Sequence, residues 1–274
     1  METDSGSFSL RGKVIVVTGG YGILGKSFCQ AIASSGGKVV IVGRNSDKGA
    51  AMVSQLTAQG GEALFACADV LDEAALQEAG AKVLGRFGRV DGLVNAAGGN
   101  IPEAVVQPDA DVFSLDMSGM KKALDLNLMG TLLPTQVFGA AMAQVGGGSI
   151  VNISSVSTVR PLTKVLGYSM AKAAIDAYTK WLAVESANRH GDKIRVNALV
   201  PGFFLTDQNR ALLTRPDGGL TPRGEAILRQ TPFRRFGNPE ELNGALCWLL
   251  SDASRFVTGT TVRVDGGFMS SSGV

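Results

Sequence analysis

The chain has 274 residues, of which 45% are hydrophobic and 18% charged, and its 26 lysines and arginines stand against 24 aspartates and glutamates. This core-forming composition excludes intrinsic disorder, and a net charge of +2 leaves no electrostatic footprint for nucleic acid or an anionic membrane. Three widely spaced cysteines, Cys29, Cys67 and Cys247, and a lone His190 build neither a disulfide framework nor a multi-histidine zinc site.

Acids precede any apolar run at the N-terminus, and no stretch approaches ~18 consecutive apolar residues. A soluble, cytoplasmic protein acting on a small molecule is therefore expected, with the cysteines as packing residues and His190 as a helix-end cation. In chain order, β-branched runs at 13–17, 38–42, 63–67, 90–95, 149–153, 194–199 and 261–264 predict strands buried on both faces. Helical patterns at 25–35, 50–59, 74–87, 119–144, 166–188 and 240–251 fall between them. This alternation predicts an α/β fold: one domain over 1–274, a doubly wound parallel sheet with helices on both faces, and ligands at the carboxyl ends of its strands. Residues 203–236 break the rhythm with Pro216, Gly218, Gly219, Pro222 and Pro232, and are expected to form a functional loop acting as a substrate lid.

The first strand runs into Thr18-Gly19-Gly20-Tyr21-Gly22-Ile23-Leu24-Gly25 and then a helix. Gly20, Gly22 and Gly25 fit G-x-G-x-x-G, in which glycines let backbone N–H groups approach a pyrophosphate at the positive helix end; a merely tight turn is the alternative. The second strand ends Val42-Gly43-Arg44-Asn45, with no acid until Asp47. An acid there would meet a ribose 2′-hydroxyl, whereas an arginine accommodates a 2′-phosphate, so Arg44 predicts NADP(H) in preference to NAD(H). The alternative is Arg44 stacked on adenine, which either cofactor permits. Further on stand Asn95-Ala96-Ala97-Gly98, Ser155, and Tyr168 with Lys172 four residues later. An i,i+4 pair shares one helical face, so the Lys172 ammonium is expected to lower the Tyr168 pKa towards the range that acid–base catalysis needs. Taken singly, Tyr168 could be a core tyrosine, Lys172 a surface charge, Asn127 a helix cap or bend, and Asp69 an N-cap.

With these motifs in this order, together with Asp69-Val70, Asn127 in DLNLMG, Pro201-Gly202 and Asp265-Gly266-Gly267, the chain resembles the short-chain dehydrogenase/reductases over nearly its whole length. Its glycine turn departs from the commoner T-G-x-x-x-G-x-G by placing the middle glycine one position early. The resemblance implies a Rossmann-type fold and hydride transfer without a metal. In it Tyr168 exchanges the substrate proton, Lys172 lowers the tyrosine pKa and holds the nicotinamide ribose, Ser155 polarises the carbonyl, and Asn127 holds a relay water. It implies cofactor contacts from Gly19, Tyr21, Gly22, Ile23, Leu24, Arg44, Asn45, Asp69, Val70, Asn95, Ala96, Ala97, Gly98, Tyr168, Lys172, Pro201, Gly202, Phe204 and Thr206. A homotetramer built through the helices at 119–144 and 166–188 is also implied.

The strings GGN at 98–100, PLTKV at 161–165, PGFFLTDQNRALL at 201–213 and PDGGLT at 216–221 are similar to the D-mannonate oxidoreductase (fructuronate reductase) group. Residues 203–236 carry Arg210, Arg215, Arg223, Arg229, Arg234 and Arg235 against Asp207, Asp217 and Glu225, so the chain's excess of positive charge lies there. Arginine forks suit carboxylates, which points to an anionic sugar acid as substrate. Arg210 with Asn209 is the first choice for its carboxylate, Arg160 and Lys164 are the alternatives, and Asn100 is expected to hold a hydroxyl beside Ser155. A general carbonyl or ketoacyl thioester reductase, and a non-catalytic dinucleotide sensor, are the competing readings.

Overall fold

Val14–Thr18 (β1) is buried along its whole length, and Lys38–Gly43 (β2) is buried beyond its first residue. Strands that hide both faces need neighbours on both edges and helices above and below. β1 pairs in parallel with β2 on one side and with Gly92–Asn95 (β4) on the other. The computed structural model describes residues 6–107, 110–206 and 209–273. Its sheet has seven strands in the order β3-β2-β1-β4-β5-β6-β7, every neighbouring pair parallel, with Ala63–Cys67 as β3, Gly148–Ile153 as β5, Ile194–Pro201 as β6 and Thr261–Val264 as β7. The expected doubly wound, Rossmann-type sheet is present.

Helices cover both faces, and β1 shows how the sequence serves two cores at once. Ile15 and Val17 pack with Phe28 and Ile32 of Ile23–Ser34 (α1), Leu56 of Ser46–Ala58 (α2) and Leu246 of Asn243–Leu250 (α9). Val14 and Val16 turn the other way, to Leu76 and Val83 of Glu73–Phe87 (α3), Phe138 of Gly130–Val145 (α5) and Ala183 of Leu166–His190 (α6). Strand order reverses between β1 and β4, and Thr18 lies level with both Val42 and Asn95, so the loops that follow converge on one crevice.

Three expectations are corrected. α2 begins four residues before the expected start because Asn45 caps it, its Oδ1 accepting the Lys48 N–H at 2.9 Å. Asp72, and not Asp69, caps α3, accepting the Ala75 N–H at 3.0 Å. The expected helix at 119–144 is broken into Met117–Leu124 (α4) and α5 by a π turn at Asp125–Met129. There the Asn127 side chain reaches back to the Ala123 carbonyl, and further on Pro134 offers no N–H to continue the ladder.

The segment at 203–236 is more ordered than a loop. It holds Arg210–Leu213 (α7) and Pro222–Gln230 (α8), and bridges at Thr214–Leu220 and at Phe204–Gly237 close it; Asp207 lies outside the described residues. Cys29 is a core residue, but Cys67 is exposed. Among the described residues no helix is long and apolar enough to cross a membrane.

Candidate active site and cofactor groove

Two hollows adjoin at the carboxyl edge of the sheet. The outer one, about 350 Å³, runs between the loops that follow β1 to β4. Its floor is the glycine turn, where Gly19 has a φ of +65° and an added Cβ would come within 3.0 Å of Ala97. At Gly25 a Cβ would stand 2.2 Å from the Gly19 carbonyl oxygen, so α1 and the turn approach as closely as only glycine permits. Gly22 begins α1 with no side-chain cap and no acid in the first turn, leaving the positive helix end facing the groove. Thr18 Oγ1 accepts the N–H groups of Ala96 and Ala97, each at 3.1 Å, and so ties the turn to the Asn95–Gly98 loop.

This cradle fits a dinucleotide. Of the residues expected at the cofactor, Gly19, Tyr21, Gly22, Ile23, Leu24, Arg44, Asp69, Val70, Ala96, Ala97, Gly98 and Thr206 line it. Of the other expected cofactor contacts, Tyr168, Lys172, Pro201, Gly202 and Phe204 line the adjoining hollow, and Asn45 and Asn95 line neither. Asn45 spends its side chain on the α2 cap and its N–H on the Tyr21 hydroxyl at 3.0 Å. Asn95 is fully buried beneath the loop, donating to Thr135 Oγ1 at 2.8 Å and Asn152 Oδ1 at 2.9 Å, and it supports the groove from below. The Arg44 side chain is 74% exposed and reaches only a stretched 3.4 Å contact with Asp69 Oδ2.

The inner hollow, about 170 Å³, is smaller than the roughly 300–1,000 Å³ of drug-sized ligand sites. It adjoins the groove through Leu24, Ala96, Gly98 and Thr206, which line both. Ser155 enters at the end of β5, and Tyr168 and Lys172 enter from one face of α6. Lys172 is buried; its Nζ donates to the Ile153 carbonyl at 2.6 Å and lies 5.5 Å from the centre of the Tyr168 ring. Burial pushes the Lys172 ammonium down to about 8, with Asp176 one turn on opposing the shift. Burial raises the Tyr168 phenol above its ordinary value, and the Ser155 hydroxyl, hydrogen-bonded to it, offsets part of that rise. Desolvation thus sets the direction for the phenol, and Lys172 is not among the causes, contrary to the expectation that it lowers the Tyr168 pKa.

Pro201, Gly202, Phe204 and Thr206, expected at the cofactor, and Asn100 and Asn209, expected at the substrate, all line the inner hollow. Gly202 packs so tightly on Asp265 that a Cβ would stand 2.6 Å from the Asp265 Cα, and the Asp265 carboxylate caps the N–H groups of Gly267 and Met269, both at 2.9 Å. Asn209 is committed to its own loop, accepting from the Thr206 N–H and donating to the Phe204 carbonyl, each at 2.8 Å. Asn127 is fully buried and lines neither hollow. Its Oδ1 accepts the Gly99 N–H at 2.9 Å and its Nδ2 donates to the Gly99 carbonyl at 2.8 Å, pinning the pocket's glycine wall.

The basic residues favoured by the sequence stand outside the pocket. Arg160 donates to the Ser271 carbonyl and covers the Phe268 ring. Lys164 sits on a left-handed turn, φ +75°, with its carbonyl accepting the Val106 N–H, and Arg210 is exposed at the start of α7. Of the six arginines at 203–236, Arg223 alone lines the hollow. The helix-start pattern Thr221-Pro222, a capping threonine before a proline, is the sequence signal that could have singled it out. Leu162 and Val165 from the PLTKV string, and Phe203, Leu212 and Leu213 from PGFFLTDQNRALL, add to the wall, as does Ser154, which no motif announces.

The family profile described as enoyl-(acyl carrier protein) reductase matches residues 12–269. The uncharacterized oxidoreductase UxuB of Bacillus subtilis is 44% identical over 97% of this chain and 98% of its own length. A crystal structure of a candidate D-mannonate oxidoreductase from Haemophilus influenzae with bound NAD superposes with a TM-score of 0.90 at 39% identity, covering 97% of this chain and 98% of that one. The gluconate 5-dehydrogenase from Burkholderia cenocepacia J2315, in complex with NADP and tartrate, gives a TM-score of 0.85 at 31% identity over 97% and 98% of the two chains. Sequence and fold agree along the whole match: the chain belongs to the short-chain dehydrogenase/reductase family and is an NAD(P)-dependent oxidoreductase acting on alcohols.

Proposed function

We propose that the protein interconverts a keto-sugar acid and its hydroxy acid, D-fructuronate and D-mannonate, and does so with NADP(H) in preference to NAD(H). The observation that carries the reading is the charge of the inner hollow: Lys172 and Arg223 line it, and no carboxylate does among the described residues. Such a pocket favours an anion of sugar size. The relatives named for mannonate and gluconate, one of them holding tartrate, support the same substrate class.

In this reading the outer groove holds the dinucleotide, which supplies the hydride. Tyr168 Oη gives a proton to the reduced oxygen, or takes one from the alcohol. The Ser155 hydroxyl orients that oxygen, and buried Lys172 holds a positive charge beside the phenol. Asn127 acts through Gly99, keeping the wall in place. The segment at 203–236 forms a lid over the substrate. Arg44, with no acid beside it on its own strand end, meets the 2′-phosphate, a stronger partner than its stretched contact with Asp69.

The assembly is a homotetramer that uses α6, whose exposed Leu166, Met170, Trp181 and Val184 fall in one stripe. Turnover of D-fructuronate, a neutral keto-sugar and a ketoacyl thioester, each with NADPH and NADH, tests the proposal. D-fructuronate with NADPH is expected to give the highest kcat/KM, and Arg44→Asp is expected to move the preference to NADH. A higher value for the thioester overturns the substrate, and a clear NADH preference in the unmodified protein overturns the cofactor.

A further inference from the structure

The inner hollow holds two cations in different situations. Lys172 is committed, with its Nζ on the Ile153 carbonyl and its charge against the Tyr168 ring. Arg223 enters from the first turn of α8, on the lid, and its placement is over-determined. Thr221 caps α8 by accepting the Gly224 N–H at 3.1 Å, while its own hydroxyl donates to the Leu212 carbonyl at 2.7 Å. Gly224 presses on α7 so closely that a Cβ would stand 2.3 Å from the Leu213 carbonyl oxygen. The guanidinium then spans to the body of the protein, Nη1 donating to Thr163 Oγ1 at 2.8 Å and Nη2 to the Thr163 carbonyl at 3.2 Å.

Both partners are neutral. Elsewhere on the lid Arg235 is neutralised by a two-pronged contact with Glu241, at 2.6 Å on each prong, whereas Arg223 meets no carboxylate among the described residues. A half-buried guanidinium without a counter-ion is costly, and burial pushes its pKa down accordingly. Thr163 engages two of the five N–H donors of the fork. On the same hollow, Asn100 Oδ1 and Ser154 Oγ are buried without a partner among the described residues, positions that suit the hydroxyls of a polyol chain.

We propose that Arg223 is the residue that recognises the substrate carboxylate, and that Thr163 is its positioning partner, aiming the fork across the pocket from the lid. Selectivity for an acid over a neutral sugar then resides in a contact between lid and body, away from the proton-transfer groups. The assignment rests on the reading of this site as a sugar-acid oxidoreductase.

The test measures kcat/KM for D-fructuronate and for neutral D-fructose in the unmodified enzyme and in Arg223→Gln, Arg223→Lys and Thr163→Val, with NADPH affinity in each variant confirming the fold. Loss of one partner of a desolvated, hydrogen-bonded charge pair is expected to lower the acid-to-neutral ratio about a hundredfold in Arg223→Gln. Arg223→Lys should recover part of that loss, since it restores a charge but not the fork. Thr163→Val should raise the KM for the acid more than it changes kcat. If Arg223→Gln lowers acid and neutral turnover alike, or Thr163→Val leaves the KM for the acid unchanged, the assignment is overturned. Turnover of D-fructuronate with an unaltered ratio in Arg223→Gln sinks the carboxylate contact and leaves the function standing. The reverse case is also readable: if the enzyme ignores sugar acids, yet tartrate raises the Tm of the NADPH complex in the unmodified protein and fails to do so in Arg223→Gln, the function fails and the contact stands.

Discussion

Burial acts in opposite senses on the two ionisable groups that α6 brings to the pocket. It raises the Tyr168 phenol and lowers the Lys172 ammonium to about 8, because both shifts disfavour a charge away from water. The phenol therefore stays protonated through neutral pH, the state needed to reduce a carbonyl, and Lys172 is the first of the pair to titrate as pH rises. Reduction is expected to hold steady near neutrality and to decline above about pH 8, read as kcat against pH. Stability follows the other sign. The unfolded chain keeps Lys172 protonated up to 10.5 and the folded one only to about 8, so this residue disfavours folding below that window and relents within it. Denaturation midpoints should climb from pH 8 to 10.5 more steeply in the unmodified protein than in Lys172→Met. Tyr168→Phe keeps the ring but removes the transferable proton, and turnover should fall by about 10²–10⁴-fold while dinucleotide affinity is retained. Near-normal turnover in that variant would remove Tyr168 from the proposed chemistry.

At the level of elements, the turn between β1 and α1 and the interrupted α4–α5 helix set the two hollows side by side. Gly25→Ala forces a Cβ against the Gly19 carbonyl at 2.2 Å, where neither partner is a flexible side chain. A loss of about 1–3 kcal/mol in stability is expected, with dinucleotide affinity falling beside it; calorimetry and a binding titration read the two. These elements also show what the sequence could and could not tell. The glycine turn, the Tyr168–Lys172 pair and the strand runs were legible because their chemistry depends on spacings of a few residues. The π turn was not, since it depends on Asn127 finding Gly99, 28 positions away. Arg223 was half hidden for the same reason. The Thr221-Pro222 helix start sets Arg223 apart from the other five arginines between 203 and 236, but the packing of α8 against α7, with Thr163 sixty positions earlier, decides that it faces inward. Nearness to β6 favours Arg210 in the sequence, but the start of α7 leaves it facing solvent.

For the whole molecule, α6 serves two masters. Its inner face carries the pocket residues, while Trp181 and Val184 on its outer stripe are each 60% exposed. An apolar stripe on a helix this long suits a second copy of the chain, and light scattering should give the mass of four chains. Trp181→Glu combined with Val184→Glu should yield smaller species, whereas a monomeric unmodified protein would exclude the assembly.

Among the described residues, the segment at 203–236, the proposed lid, shares with the outer groove a single residue, Thr206. Everything else that the lid contributes, from Phe203 to Arg223, faces the inner hollow, while the glycine turn and the groove are built from the first half of the chain. The molecule is thus divided like a power tool, with a fixed motor and an exchangeable bit. On the proposed reading, substrate preference can be re-engineered by grafting this segment, held at its base where Phe204 meets Gly237, together with the body residue Thr163 that holds Arg223, while the outer groove stays untouched.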